Sequence, residues 1–391
     1  MNVGVNSANI KEINRTLVLK LICTNQDVSR IWLANQTGLT RMTLSNIISG
    51  FTQSGVLCDV RDLATTNIVG RRPIKVDLAE TSPLVMGINI SRDWCAGLLM
   101  DLKARRVKKV TYRLGGEDTA QTLMSKILKT IERLQQATDR KILGVGVASV
   151  GPVDVRSGVL LKPTNFYGIA DVPICEMITK KTGYPAFLRN MMNASALAEK
   201  YYGRGRDIED FVYVGITNGV GAGIVSGGEL FSSGSGFEGE FGHSSINYDG
   251  PKCSCGNRGC LELYATIPRI IETVNEECAA NFTTIEEVSE FCRENAEARH
   301  AMYSIMDKLA IALASLVNIV DPVRVIIGDE GSGIGQSMIE RLESEVNRRI
   351  LARNEKHVEI VRSDFGAEVR LIGAATIVAD QVFTAQMRID E

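Results

Sequence analysis

The sequence predicts an α/β protein, with a body of two related halves around a cleft and a small helical module in front of it. Three observations lead there. Apolar strands ending in glycine turns recur in "KILGVGVASVGPVD", "DFVYVGITNGVGAGIVSGGEL" and "VRVIIGDEGSG", with helix-like stretches between them. The texture before residue 80 is different, with short helices and shorter extended pieces. The chain of 391 residues is also too long for one ordinary core.

The N-terminal elements follow in order. "NSANIKEINRTLVLKLICTN" has a polar cap and then Ile13, Leu17 and Leu21 at helical spacing. "DVSRIWLANQTGL" fits a short second helix capped by Asp27 or Ser29, with Ile31, Leu33 and Ala34 inward. After a turn at Gly38, "TRMTLSNIISGFTQSGVL" sets Leu44, Ile47, Ile48 and Phe51 toward a core. Thr40, Arg41, Thr43, Ser45 and Asn46 then crowd the start of this third helix with short polar or cationic side chains. Helix, glycine turn and helix with a polar leading face is the helix-turn-helix pattern, whose second helix enters the DNA major groove. Two extended pieces, "VLCDVRDL" and "IKVDL", make it a winged version. Between them lies Gly70-Arg71-Arg72-Pro73, and Arg71 and Arg72 are expected to reach a narrow minor groove. Each piece alone also fits a plain three-helix core and a solvated loop. Charge supports the DNA reading: nine basic against six acidic residues up to Glu80 leave that end near +3, against −2 for the whole chain.

The body begins with "LVMGINI" and "WCAGLLMDL" as strands, and a helix runs through "TLMSKILKTIERLQQA". The strand and turn of "KILGVGVASVGPVD" come next, and the long apolar helix "MYSIMDKLAIALASLVNIV" precedes the last glycine turn. Such turns cradle phosphates with backbone N–H groups, though each alone is weak evidence. Hydrophobic residues at 45% and charged residues at 23% are the balance of a soluble globular protein. No window reads as a membrane span, and the polar start lacks an apolar signal core, so a cytoplasmic protein without a membrane partner is expected. Nine cysteines, an odd number and scattered apart from one cluster, argue against a disulfide framework.

"EFGHSSINYDGPKCSCGNRGC" holds three of the nine cysteines and one of the three histidines. His243, Cys253, Cys255 and Cys260 offer one imidazole and three thiolates, a closed tetrahedral set suited to Zn²⁺. Four good ligands leave no open position for catalysis, so the zinc expected here is structural. A redox pair would need exposed, activated thiols, and free buried thiols would not gather three to eight residues.

"GEFGH" followed by "CSCGNRGCLE" resembles the signature of the ROK family of repressors, open reading frames and sugar kinases. "KPTNF", "RNMMNASALAE" and the glycine turns stand in the family's order, and the winged helix in front is the arrangement of its repressor branch. The resemblance covers essentially the whole chain. It implies an actin-like, ribonuclease H-like two-lobed sugar-kinase fold behind a winged helix-turn-helix domain. The domains expected are 1–80 for DNA binding, 81–199 for a small lobe completed by 374–391, and 200–373 for a large lobe carrying zinc and the oligomerisation surface. It also implies that Asn165, Asn190, Glu240, His243 and Glu262 contact a sugar.

The same resemblance locates departures from the kinases. Where they carry the catalytic base, an Asp, this chain has Met191, whose thioether takes no proton. Asn89 replaces the Asp of the first phosphate turn, Ser91 the glycine after it, and Asn218 the Thr of the second turn. "GDEGSG" stands where consecutive glycines are usual. These departures fall on phosphoryl-transfer positions and spare the sugar and zinc positions. The expectation is a sugar-responsive regulator, a repressor of carbohydrate genes rather than an enzyme, binding double-stranded operator DNA as a homodimer or homotetramer. The alternatives are an active sugar kinase with an accessory DNA-binding domain, and a regulator answering to a protein effector.

Overall fold

The computed structural model describes residues 7–60, 74–233 and 236–390. The N-terminal module has helices α1 (Ser7–Thr24), α2 (Arg30–Thr37) and α3 (Arg41–Gln53). Strands β1 (Leu57–Val60) and β2 (Lys75–Leu78) follow and pair antiparallel, Leu57 opposite Leu78. Ser29 caps α2, its hydroxyl accepting from the Trp32 N–H at 3.1 Å, and Gly38 ends it in the left-handed region at φ 66°. Asp27, the other expected cap, instead pairs with Lys75 at 2.7 Å. Leu44, Ile47, Ile48 and Phe51 of α3 are buried as their spacing predicts. Arg71 and Arg72 lie outside the described residues.

Helix α1 corrects the expectation. Val18, Leu19, Ile22 and Cys23 are buried, Leu17 and Leu21 are half-buried, and Ile13 is 54% exposed. The reason is a second surface. The inward residues of α1 share one apolar cluster with Met100, Leu102, Tyr201, Phe383 and Ile389 of the body. Ile31 likewise faces solvent at 59% exposure, while Leu33 is fully buried.

The first lobe runs β3 (Leu84–Ile90), β4 (Trp94–Asp101), β5 (Arg106–Arg113), α4 (Ala120–Gln135) and β6 (Ile142–Ser149). A small hairpin of β7 (Val153–Asp154) and β8 (Val159–Leu160) leads to α5 (Ile174–Thr182), β9 (Ala186–Asn190) and α6 (Met191–Tyr202). Its sheet has the order β5-β4-β3-β6-β9, antiparallel among the first three strands and parallel from β3 onward. Strand β5 is absent from the sequence expectation. It sits at the edge and only Val110 of it is buried; Lys108 is exposed, and the partly exposed Arg106 and Lys109 pair with Glu368. Cations on an edge discourage pairing with another chain, and they hide the strand's periodicity.

The second lobe runs β10 (Phe211–Ile216), β11 (Val220–Ser226), β12 (Glu229–Leu230), α7 (Glu262–Ala265), α8 (Ile267–Cys278), α9 (Ile285–Glu294) and α10 (Ala296–Val320). It ends with β13 (Arg324–Gly328), α11 (Gln336–Arg349) and β14 (Glu359–Arg362). Its sheet order, β12-β11-β10-β13-β14, repeats the first in topology and strand sense. The related halves read from the glycine turns are therefore two ribonuclease H-like sheets. Helix α10 is long and apolar enough to cross a membrane by length and composition, which corrects the sequence reading. In this fold Met302, Ile305, Leu309 and Leu313 of α10 are buried in the second lobe's core.

Helix α12 (Val369–Phe383) leaves the second lobe and packs on β3, β6 and α6 of the first. Gly87 and Gly146 make that approach possible, because a Cβ at either would collide with the α12 backbone at Ala374 or Ala375. Helix α6 in turn lies against β10 and β11, so the pair α6–α12 joins the lobes.

Candidate functional site

Two cavities of 350 and 400 Å³ adjoin in the cleft and share Arg92, Val150, Met191 and Thr217 in their walls. The first is lined by Asn190, Glu240, His243 and Glu262, so four of the five expected sugar contacts come together. Asn190 ends β9 and caps α6, its Oδ1 accepting from the Met192 N–H at 2.8 Å. That leaves its Nδ2 as the donor, and Gly151 packs between Asn190 and Glu240 where a Cβ would strike the amide. Burial pushes the Glu240 carboxyl upward; nearby His243 opposes this, while Glu262 and Glu238 reinforce it. Asn165 is not in the cavity wall. It is exposed, with a left-handed φ of 55°, and its neighbour Thr164 lines the cavity instead. Lys162 and Thr164 of "KPTNF" and Thr217 of the second glycine turn also line the two cavities, although the sequence reading singled out their neighbours Asn165 and Asn218, and Arg92 joins them from outside any motif.

His243 closes a short 3-10 turn (Phe241–His243) beside α7, and its donor atom gathers with those of Cys253, Cys255 and Cys260 within 4.8 Å of one another. Cys255 Sγ and Cys260 Sγ are 3.7 Å apart, and Cys253 Sγ lies 3.8 Å from His243 Nδ1. Two thiolates each 2.3 Å from a tetrahedral ion would stand about 3.8 Å apart. The cluster therefore has the donor set and spacing of a metal site. Burial and then the neighbouring thiols push Cys260 up to about 12, and the Asn257 N–H is the main influence holding Cys255 down. Deprotonating all three thiols this close together would need a cation beside them. Gly259, at φ 60°, has no room for a Cβ against the Asn247 backbone, which is why the loop needs glycine there. Glu262 Oε1 is 3.4 Å from His243 Nδ1 and 3.7 Å from Cys253 Sγ, tying the cluster to the cavity wall.

The second cavity collects the expected phosphoryl-transfer positions. Asn89 at the end of β3, Ser91, Asn218 and Glu330 all line it, and Met191 forms the shared wall, 6% exposed. The "GDEGSG" turn is fixed to the start of α12: Arg370 pairs with Asp329 and with Glu330, both at 2.7 Å. Asp329 is fully buried at φ 56° and also accepts from the Tyr213 hydroxyl at 2.9 Å. Arg370 is 40 residues from Glu330, and no local pattern could have paired them.

On α3, Arg41, Ser45 and Asn46 are exposed together on one face. Thr40 and Thr43 are engaged with each other: Thr40 caps the helix, accepting from the Thr43 N–H at 3.2 Å, and their hydroxyls lie 2.9 Å apart.

A doubled ribonuclease H-like sheet with a polar cleft between its halves defines the actin-like, two-lobed fold of sugar kinases and of regulators built on them. The chain belongs to the ROK family, whose profile matches residues 85–381. It is similar to the xylose repressor of Caldicellulosiruptor bescii, 28% identical over 95% of this chain and 97% of that one. A ROK family transcriptional regulator described as a homologue of the Escherichia coli MLC protein superposes with a TM-score of 0.79, at 23% identity over 96% of this chain and 98% of that chain. The ROK hexokinase of Thermus thermophilus, 28% identical, superposes with a TM-score of 0.65 over 75% of this chain and 97% of its own.

Proposed function

We propose that this protein is a sugar-responsive, DNA-binding transcriptional regulator, a repressor of carbohydrate genes that has lost kinase chemistry. The observation that carries the reading is the pattern of coverage. A repressor matches the chain nearly end to end, whereas a hexokinase uses almost all its own length on 75% of it. The family profile begins at residue 85, and in this reading the residues before it form a helix-turn-helix module, the sort of appendage that a regulator needs and a kinase does not.

In this reading residues 1–80 bind operator DNA, with Arg41, Ser45 and Asn46 facing bases and Arg71 and Arg72 in the wing. Residues 81–199, completed by 374–391, and residues 200–373 form the lobes that close on a sugar. Asn190 donates from Nδ2, and Glu240 and Glu262 accept from sugar hydroxyls, a preorganised match for groups that both donate and accept. His243, Cys253, Cys255 and Cys260 hold Zn²⁺, which supplies fixed positive charge that neutralises the thiolates and holds the loop bearing Glu240 and Glu262. Phosphoryl transfer lacks its base, since Met191 faces the cleft where a carboxylate is needed. Sugar acts on DNA affinity only by binding one lobe arrangement better than the other. Two copies in a two-fold dimer present two recognition helices to paired half-sites about one helical turn apart.

The test is fluorescence anisotropy of the full chain on duplexes from upstream of its own and neighbouring genes, at fixed salt, with a panel of sugars and sugar phosphates. Tight, sequence-specific binding released by one compound is expected. Specific binding that no sugar alters would move the effector role to a protein partner. ATP-dependent sugar phosphorylation at an ordinary kinase rate would overturn the loss of catalysis.

A further inference from the structure

Among the described residues of the N-terminal module Met42 is the most exposed large apolar one, at 76%, and it sits in the first turn of α3. Its position is not an accident of a loose end. The helix is capped at Thr40, and Leu44, Ile47, Ile48 and Phe51 seat its other side in the core. Residues 42, 45, 46 and 49 recur at intervals of three and four, so Met42, Ser45, Asn46 and Ser49 share one exposed face with Arg41 beside it. A flexible thioether held in water by a well-anchored helix contributes nothing to the fold that a polar residue would not, and it costs solubility.

Resting on the DNA-binding reading, we infer that Met42 reads the 5-methyl group of a thymine in each operator half-site. The major-groove edge offers one apolar group, the thymine methyl, among its hydrogen-bonding atoms. The neighbours of Met42 suit the same edge: Asn46 matches the donor and acceptor of adenine, Ser45 is short enough to allow close approach, and Arg41 supplies positive charge toward phosphate or guanine. The apolar side chain thus lies where polar readers flank it, an arrangement that fits a groove wall better than a protein partner's apolar patch. Met42 is therefore a specificity-determining residue rather than a source of overall affinity.

The experiment removes one methyl group at a time. Binding sites are selected from a random duplex library with the full chain, and each thymine of the selected site is replaced in turn by deoxyuridine. One thymine per half-site should be sensitive, weakening binding about fourfold, the effect of losing one buried methyl. Met42→Ala should weaken binding to the thymine site by a similar factor and become indifferent to deoxyuridine there. Met42→Leu should keep the discrimination, and neither change should alter the salt dependence set by phosphate contacts. A methyl effect that persists undiminished in Met42→Ala reports DNA shape and overturns the assignment, as does a site with no sensitive thymine. Failure to enrich any sequence is a different outcome: it removes the DNA-binding reading itself, and this inference with it.

Discussion

Asp118 at the head of α4 shows how single residues set the pH response of the fold. Its carboxylate, almost fully buried, accepts from Lys126 Nζ at 2.6 and 2.8 Å, from the Gly115 N–H at 2.8 Å and from the Thr122 hydroxyl at 2.8 Å. Burial alone would raise its pKa, but the bonds from Lys126, Gly115 and Thr122 together outweigh it and the net shift is downward. A depressed folded-state pKa means that the stabilisation is complete above the ordinary carboxylate range and fades as pH falls through the lowered value. Asp118→Asn should therefore cost about 1–3 kcal/mol near neutral pH. In urea titrations the gap between variant and parent should shrink on acidification below about pH 4; a gap constant with pH would mean the charge is irrelevant. The cysteine cluster makes a second prediction at this scale. Cys253→Ser should lose bound zinc, and a chelator should lower the melting temperature of the parent chain but not that of the variant.

Among the elements, α12 has the widest reach. It begins at the cleft with Arg370, crosses the first sheet over Gly87 and Gly146, and ends beside the N-terminal module. There Phe383 meets Tyr201 edge-on at 5.0 Å, Tyr201 donates to Asp380 at 2.7 Å, and Asp390 pairs with Arg15 of α1. A movement of the lobes has a packed route along this element to α1, which in turn packs on α3. Phe383→Ala should destabilise the chain by about 3–5 kcal/mol as a large-to-small core change. Denaturation should show the N-terminal module loosening together with the first lobe rather than apart from it, and separate transitions would deny the shared core.

At the scale of the whole molecule the lobes are joined by the apolar packing of α6 and α12, and a buried ionic group fixes the start of α12 to the second lobe. Removing Arg370 by Arg370→Ala leaves Asp329 buried without its cation, and the expected cost is about 3–5 kcal/mol. The double change Arg370→Met with Asp329→Asn should recover most of that loss, since it removes both charges. A double-mutant cycle on thermal or urea unfolding measures the coupling, and additive effects would show that the pair does not fix α12 to the turn.

The sequence by itself determined whatever is written within a few turns of chain. The strand-and-glycine-turn units, the core face of α3 and the His243–Cys260 cluster are local patterns, and each is found folded as read. Tertiary structure alone decided which residues of α1 face inward, because two surfaces pack on that helix and its periodicity records only one. It also decided the pairing of Arg370 with Asp329 and Glu330, the edge position of charged β5, and the displacement of Asn165 from the cavity that Thr164 lines. The physical reason is common to all four. Periodicity encodes how one segment divides its residues between water and protein, whereas these features depend on which distant segment arrives against it.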